Sequence, residues 1–288
     1  MSKLEDTELL MPATLAEALR LLADEKTRGI PLAGGTDLMV QWEAGARPAP
    51  ARAISIKGLR ELGGITDRGD LLDVGSGVTH AELRQSLLIR TFAPSLAEAA
   101  ATVGGAQIQA LGTLGGSVGN ASPAGDLAPS LLVADASVIV ASLHGERQIP
   151  ITGFLLGYRK IDLKPYELIV RFLVPKMRPG MREGWRKLGP RAAQAISKVM
   201  GSYRGRLDRG AVASFAVALG SVGPTAVRLG ELEKWIVGRR LDGAALAEAE
   251  QRAAAEVKPI ADIRSTAEYR KWVSGRLVRG FLEQLAQG

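Results

Sequence analysis

A chain of 288 residues, 46% apolar and 23% charged, has ordinary globular composition and the length for one to three domains with real cores. It has no cysteine and two histidines, His80 and His144, which excludes disulfides, cysteine or three-histidine zinc sites, cysteine nucleophiles and any cysteine-ligated iron–sulfur cluster held by this chain. The net charge of +7 is lopsided: residues 1–177 carry 17 Lys+Arg against 19 Asp+Glu, and residues 178–288 carry 20 against 11. No aromatic interleaving or nucleic-acid motif accompanies the basic part, so it reads as a docking or phosphate-steering face rather than a nucleic-acid surface.

The N-terminal segment mixes acids into its apolar positions, unlike a signal peptide, and no apolar run reaches the roughly 18–20 residues of a membrane span. The expectation is a cytoplasmic protein. Thr14 and Glu17 form a capping box for a helix with the stripe Leu15, Ala18, Leu19, Leu22. A short buried strand at Ile30–Ala33 runs into a Gly-Gly turn and a helix backed by Leu38, Met39 and Trp42. Strands follow at Ala53–Ile56, Gly63–Thr66 and Leu71–Gly75. Thr79 with Glu82 caps another helix, and Pro94 opens a third. Residues 104–129 are glycine-dense and polar, and a loop of that length is usually functional. Strands follow near 137–142, at 149–151 and at Glu167–Leu173. Pro175, Pro179 and Gly180 mark a linker. Beyond it lie strands near Ala195–Tyr203 and Gly210–Ser221, then helices at 230–238, 242–257 and 265–286. The organisation expected is a domain of residues 1–177 followed by one of residues 178–288.

Two glycine turns stand out, Ala33-Gly34-Gly35-Thr36-Asp37 and Thr113-Leu114-Gly115-Gly116-Ser117. Neither is a G-x-G-x-x-G or a phosphate-loop sequence. Glycine reaches φ > 0 and lets a ligand approach the backbone, and consecutive free amides make an anion-binding nest. Two such turns can grip the two phosphates of one pyrophosphate; read singly, each is equally an ordinary strand-to-helix turn. Ser122 and Asp126 lie on the glycine-dense loop, either as acceptors for a ribose or isoalloxazine edge or as turn caps. Lys187 lies in a basic stretch, either holding a phosphate or flavin carbonyl or simply solvated. Neither histidine has a triad around it; His80 packs or caps at a helix start, and His144 sits in a hairpin turn.

The ordered set PLAGGTDL (31–38), TLGGSVGNASPAGDLAPSLLVADA (113–136), GYRK (157–160) and LKPYELI (163–169), with DIRSTAEYRKWVSGRLVRGFL (262–282), resembles the FAD-binding subunits of molybdenum hydroxylases. This is the family of carbon monoxide dehydrogenase medium subunits and the xanthine dehydrogenase flavin domain. The resemblance runs from about Thr14 to the end of the chain. It implies an α+β chain: a two-part FAD-binding domain of the vanillyl-alcohol-oxidase-like (PCMH-type) fold, then a smaller α+β domain with an antiparallel sheet and helices. It implies that Pro31, Leu32, Ala33, Gly34, Gly35, Thr36, Asp37 and Leu38 form the first FAD loop, and Thr113, Leu114, Gly115, Gly116 and Ser117 the second. It further implies that Asp126 contacts the cofactor, that Val103, Gly104, Ile108 and Ile169 pack against it, and that Lys187 approaches the flavin from the second domain. Ser117 stands where the family often has Asn, and Leu10-Met11-Pro12 where it often has an aromatic. The branch with an added [4Fe–4S] cluster is excluded by the absence of cysteine.

The function so implied is non-covalent FAD fed with single electrons by two [2Fe–2S] clusters of a small subunit. Substrate is oxidised on a large molybdopterin subunit, in a dimer of heterotrimers with no nucleic acid and no membrane span. The cofactor carries the chemistry, so no catalytic side chain and no metal ligand is expected in this chain. Two other classes compete: a stand-alone FAD oxidoreductase of related fold, and a flavin-free interaction protein.

Overall fold

The computed structural model describes residues 4–191 and 194–287. A small parallel sheet comes first. Strands β1 (Glu8–Leu10) and β2 (Ile30–Leu32) flank β3 (Arg52–Ser55), with helices α1 (Leu15–Ala23) and α2 (Leu38–Glu43) as the crossovers. Thr14 caps α1 as expected, but the Glu17 carboxylate accepts the N–H of Ala13, one residue earlier than a full capping box needs. Ala18, Leu19 and Leu22 are buried and Leu15 is half-buried, so the stripe read from the periodicity faces the core. Strand β2 was expected to be buried; it is half-buried along its length, because it is an edge strand that leaves one side open beside the turn that follows.

The second layer is an antiparallel five-stranded sheet, ordered β4 (Ile65–Asp67), β5 (Leu71–Gly75), β10 (Leu168–Pro175), β6 (Ser137–Ser142), β7 (Gly145–Pro150). Helices α3 (His80–Gln85), α4 (Leu87–Phe92), α5 (Pro94–Ala101), α6 (Ala106–Leu111), α7 (Leu114–Asn120) and α8 (Ala128–Val133) lie between β5 and β6 in the chain. The stretch at 104–129 is therefore not one loop: it folds into two short helices and a turn. At Thr79 the capping box is complete in both directions. Helix α9 (Ile151–Phe154) and the hairpin β8 (Leu155–Gly157), β9 (Lys160–Ile161) lead to β10.

The third layer is a four-stranded sheet in chain order, β11 (Arg182–Leu188), β12 (Val199–Asp208), β13 (Ala211–Gly220) and β14 (Val227–Arg228), carrying α10 (Gly230–Ile236), α11 (Gly243–Glu256) and α12 (Ala267–Ala286). Its apolar core is built around Tyr203, Phe215, Leu277 and Phe281. Trp185, Met200, Ala218 and Ala226 point the other way and share a cluster with Leu114, Val118, Leu131 and Phe172. No helix among the described residues is long and apolar enough to cross a membrane.

Strand β11 lies just after the expected linker, where the sequence shows only a basic stretch and no strand is expected. Its polar groups are taken up by the earlier part of the chain. The Trp185 N–H donates to Glu98 at 3.0 Å, and the Ser95 N–H donates to Glu183 at 3.1 Å. Glu183, its side chain fully buried, also accepts from Arg204 Nε at 2.5 Å, and Arg204 donates on to the Pro175 carbonyl at 2.9 Å. Arg204 therefore belongs to the interior clamp and not to an exposed basic docking face. Removing one partner of such a buried pair strands the other charge. Glu183→Ala is expected to destabilise the chain by about 3–5 kcal/mol, read as a lower urea midpoint; a change under 1 kcal/mol would contradict the clamp.

Candidate functional site

The first glycine turn leaves β2 and enters α2. Pro31 and Leu32 anchor it in the parallel sheet opposite Ile54 and Ser55, and the Leu32 carbonyl accepts the N–H of Ile56 at 3.0 Å. Six successive amides follow, those of Ala33, Gly34, Gly35, Thr36, Asp37 and Leu38. None of them donates to an acceptor among the described residues. All six residues are half-buried, so their amides are reachable from outside and free to donate to a ligand. Gly35 has φ +71°, the left-handed value that turns neighbouring amides toward one side. The result is a row of free donors, suited to an anion with several oxygens.

The second turn differs from expectation. Its amides are consumed internally: Leu114 donates to the Val78 carbonyl, Gly115 to the Ser76 carbonyl, Ser117 to the Thr113 carbonyl and Gly116 to Thr113 Oγ1. It is not an open nest. Gly116 lies in the first turn of α7 and outside the left-handed region, so its role is not to supply φ > 0. The glycines instead fall into two kinds. A Cβ on Gly34 would lie 1.8 Å from the Leu111 carbonyl oxygen, and one on Gly115 would lie 2.7 Å from the Ser76 Cβ. These two are points of backbone contact: Gly34 seats the first turn on Leu111-Gly112, and Gly115 seats the second on the segment after β5. Gly116 and Gly119 are exposed, with only Thr113 Oγ1 at 3.0 Å and Ile169 Cδ1 at 3.5 Å from their would-be Cβ atoms. They leave bare backbone exposed at the surface.

Asp126 and Lys187 meet across the two parts of the chain. Lys187 Nζ donates to Asp126 Oδ2 at 2.6 Å and to the Thr102 carbonyl at 3.1 Å. Both side chains are about nine-tenths buried, so Lys187 is not a solvated lysine. Asp126 Oδ1 is buried with no partner among the described residues. Burial pushes the Asp126 carboxyl up to about 6, although the Lys187 ammonium pulls it down. The second oxygen is thus free to accept a hydrogen bond from outside the described residues.

The remaining expected residues fall as follows. Val103 and Gly104 (φ +53°) are half-buried, and Gly104 packs on Ile108, itself 37% exposed. Ile169 is buried beneath Gly119. Ser122 Oγ accepts the Ala124 N–H at 3.2 Å, the turn-cap role, and Ser122 and Ser117 line a small cavity closed by Thr225 and Ala226. Asp37 accepts from Gln41, whose Oε1 accepts from Arg159 at 3.1 Å, while the Arg159 N–H donates to the Ala121 carbonyl at 3.3 Å. Gln41 and Arg159, absent from the sequence reading, thus tie the first turn to the end of α7. Arg159 lies in the GYRK stretch, the one signal that pointed to it. Buried His80 packs its ring beside Gly112; its Nδ1 has no partner among the described residues and burial lowers its pKa to about 4. Among the described residues no cluster of three His, Asp or Glu is placed to hold a metal.

Amides for an anion, exposed glycine backbone and a buried carboxylate with one oxygen open describe a site for a phosphate-bearing cofactor with hydroxyl or amide donors. Comparison with known proteins agrees. Residues 5–177 match the family model described as FAD binding domain in molybdopterin dehydrogenase, and residues 186–285 match CO dehydrogenase flavoprotein C-terminal domain. The xanthine dehydrogenase FAD-binding subunit of Escherichia coli O157:H7 is 31% identical over 260 residues, covering 90% of this chain and 88% of that one. The carbon monoxide dehydrogenase medium chain of Hydrogenophaga pseudoflava is 28% identical over 274 residues, covering 93% of each. A solved carbon monoxide dehydrogenase structure from the same organism superposes with a TM-score of 0.92 at 27% identity, covering 96% of each chain. The fold is thus the PCMH-type FAD-binding domain followed by the flavoprotein C-terminal domain, and the class is a flavin-binding oxidoreductase subunit. The chain belongs to the family of FAD-binding subunits of molybdenum hydroxylases.

Proposed function

We propose that this chain receives single electrons from [2Fe–2S] clusters of a small partner subunit and passes them to an external acceptor, while substrate is oxidised on a large molybdopterin subunit. The observation that carries this reading is the row of six unpartnered amides at Ala33–Leu38, together with the open oxygen of Asp126. When bound, FAD supplies the capacity to take up electrons one at a time and release two.

The residues of the chain bind and orient. The amides of the first turn hold the pyrophosphate oxygens, and Gly116 and Gly119 admit the cofactor against bare backbone. Thr113 stays internal as the cap of α7. Val103, Gly104, Ile108 and Ile169 give the apolar wall. Asp126 takes a hydrogen bond from the cofactor through Oδ1. Lys187, fixed by Asp126 and Thr102, places a positive charge at the seam of residues 1–177 and 178–288, which we take as the two domains. Positive charge there favours electron-rich cofactor. The reading carries with it a cytoplasmic location and a dimer of heterotrimers.

Purification of the native assembly with metal and flavin analysis tests it. Molybdenum, iron and FAD are expected to co-elute with this chain. A lone flavoprotein, free of both metals and turning over substrate unaided, would favour a stand-alone oxidoreductase.

A further inference from the structure

Strand β11 has two faces. Trp185 and Lys187 point toward the N-terminal part of the chain, Trp185 into its apolar cluster and Lys187 onto Asp126. Gly184 points the other way, its would-be Cβ within 3.4 Å of Gln284 on α12. Along that side, between β11 and α12, runs an open groove of about 670 Å³ lined by Arg186, Leu188, Tyr269, Trp272, Arg276 and Gln284. Lys187 reaches the groove as well. Whatever occupies it therefore lies one strand away from the Lys187–Asp126 pair.

The groove has both components of a protein interface. Trp272 is 58% exposed and Tyr269 39%, with ring centroids 5.8 Å apart; exposed aromatics paired with arginine are the usual anchors of such surfaces. Its charge is positive. Arg186 has no ion-pair partner within 4 Å among the described residues, and Arg276 meets Glu250 only at 3.4 Å. Lys198 sits over the Tyr269 ring at 5.3 Å. The carboxylate that reaches the groove, Glu283, is matched by Arg279 at 2.9 Å. An occupant that brings a carboxylate for Arg186 and an apolar group for Trp272 fits it.

We propose that this groove is the docking surface for an acidic face of the electron-delivering protein, which on the function proposed above is the iron–sulfur subunit. A free nicotinamide nucleotide fits less well. Hydride transfer needs the reacting atoms about 3–3.5 Å apart, and β11 stands between the groove and Asp126. Electron transfer needs no such contact: for each electron the partner's cluster loses, the flavin gains one, with no third reactant.

The test uses the chain produced with its partner subunits, as wild type, as Trp272→Glu, as Arg186→Glu/Arg276→Glu, and as Arg209→Glu. Arg209 is exposed in the β12–β13 turn, outside the groove. Iron per flavin in the eluted assembly and the Kd for the purified iron–sulfur subunit are measured at low and high salt. The groove variants are expected to bind at least tenfold more weakly with wild-type FAD content and unfolding midpoint. The arginine pair is also expected to lose much of the salt dependence that screening of exposed charges produces. Arg209→Glu is expected to behave as wild type. Normal assembly of both groove variants, or equal weakening by Arg209→Glu, would overturn the docking surface while leaving the function standing. A wild-type chain that holds FAD but binds no iron–sulfur protein would overturn both.

Discussion

Gly34→Val is expected to abolish FAD loading and to cost stability as well, whereas Gly116→Val is expected to lower FAD loading at little cost to the fold. At Gly34 a side chain meets backbone, 1.8 Å from the Leu111 oxygen, and neither turn can yield by rotating a side chain. Overpacking of this kind costs about 1–3 kcal/mol, and the two turns must part to relieve it, which moves the amide row away from the rest of the site. At Gly116 the backbone is helical and exposed, so a side chain presses only on Thr113 Oγ1, 3.0 Å from the would-be Cβ, but occupies the cofactor's approach. Gly35→Val falls between, through the roughly 1–2 kcal/mol that an L residue loses at φ +71°. Flavin content and urea midpoints of the three variants separate these outcomes. Wild-type flavin content in both Gly34→Val and Gly116→Val would show that the turns serve the fold alone.

FAD affinity is expected to rise with pH and to level off above about pH 6, the value to which burial brings the Asp126 carboxyl. The direction follows from the open Oδ1. A hydroxyl or N–H donor on the cofactor favours the carboxylate, so binding releases a proton wherever the empty site is still protonated, and each unit below 6 weakens binding by up to about tenfold. Without cofactor the sign for stability is opposite. A carboxyl raised above its ordinary value of 3.8 contributes stability that is complete below about pH 4 and lost as pH rises through about 6. Asp126→Asn is expected to flatten the affinity profile and to weaken binding at pH 7 by about 1.5–3 kcal/mol, the worth of a hydrogen bond to a charged group. Affinity that grows as pH falls would mean instead that the protonated carboxyl donates to the cofactor.

The helices begun by Thr14 and Thr79 were legible because their cap residues act locally. Thr79 with Glu82 and Thr14 with its stripe need nothing from distant parts of the chain. Strand β11 was not legible, since four of the seven residues in Arg182–Leu188 are charged and no period-2 apolar pattern shows. Its polar groups are satisfied by Ser95 and Glu98, nearly ninety positions away, and by Arg204 on the next strand. The same distance hides the burial of Arg204, which in sequence is one more member of a basic run. Both glycine turns were visible as turns, but sequence alone made them equivalent. Only the contacts with Ser76, Val78 and Leu111 show that the second turn spends its amides on the fold while the first keeps them open. Asp126 and Lys187 are visible in sequence only as a loop acceptor and a lysine in a basic stretch; that they touch each other is a product of the third layer folding back on the second.

The most direct measurement of the central claim is the identity of the flavin released by acid from the purified assembly. The proposed role of the amides at Ala33–Leu38 is to hold a pyrophosphate, which FMN lacks, and neither histidine lies in either of the turns 33–37 and 113–117 to form a covalent link. One equivalent of FAD per chain in the acid supernatant, with FMN unable to replace it on reconstitution, is the result predicted. Flavin retained in the precipitate, or FMN bound as tightly as FAD, would contradict the assignment of this loop to the cofactor's phosphates.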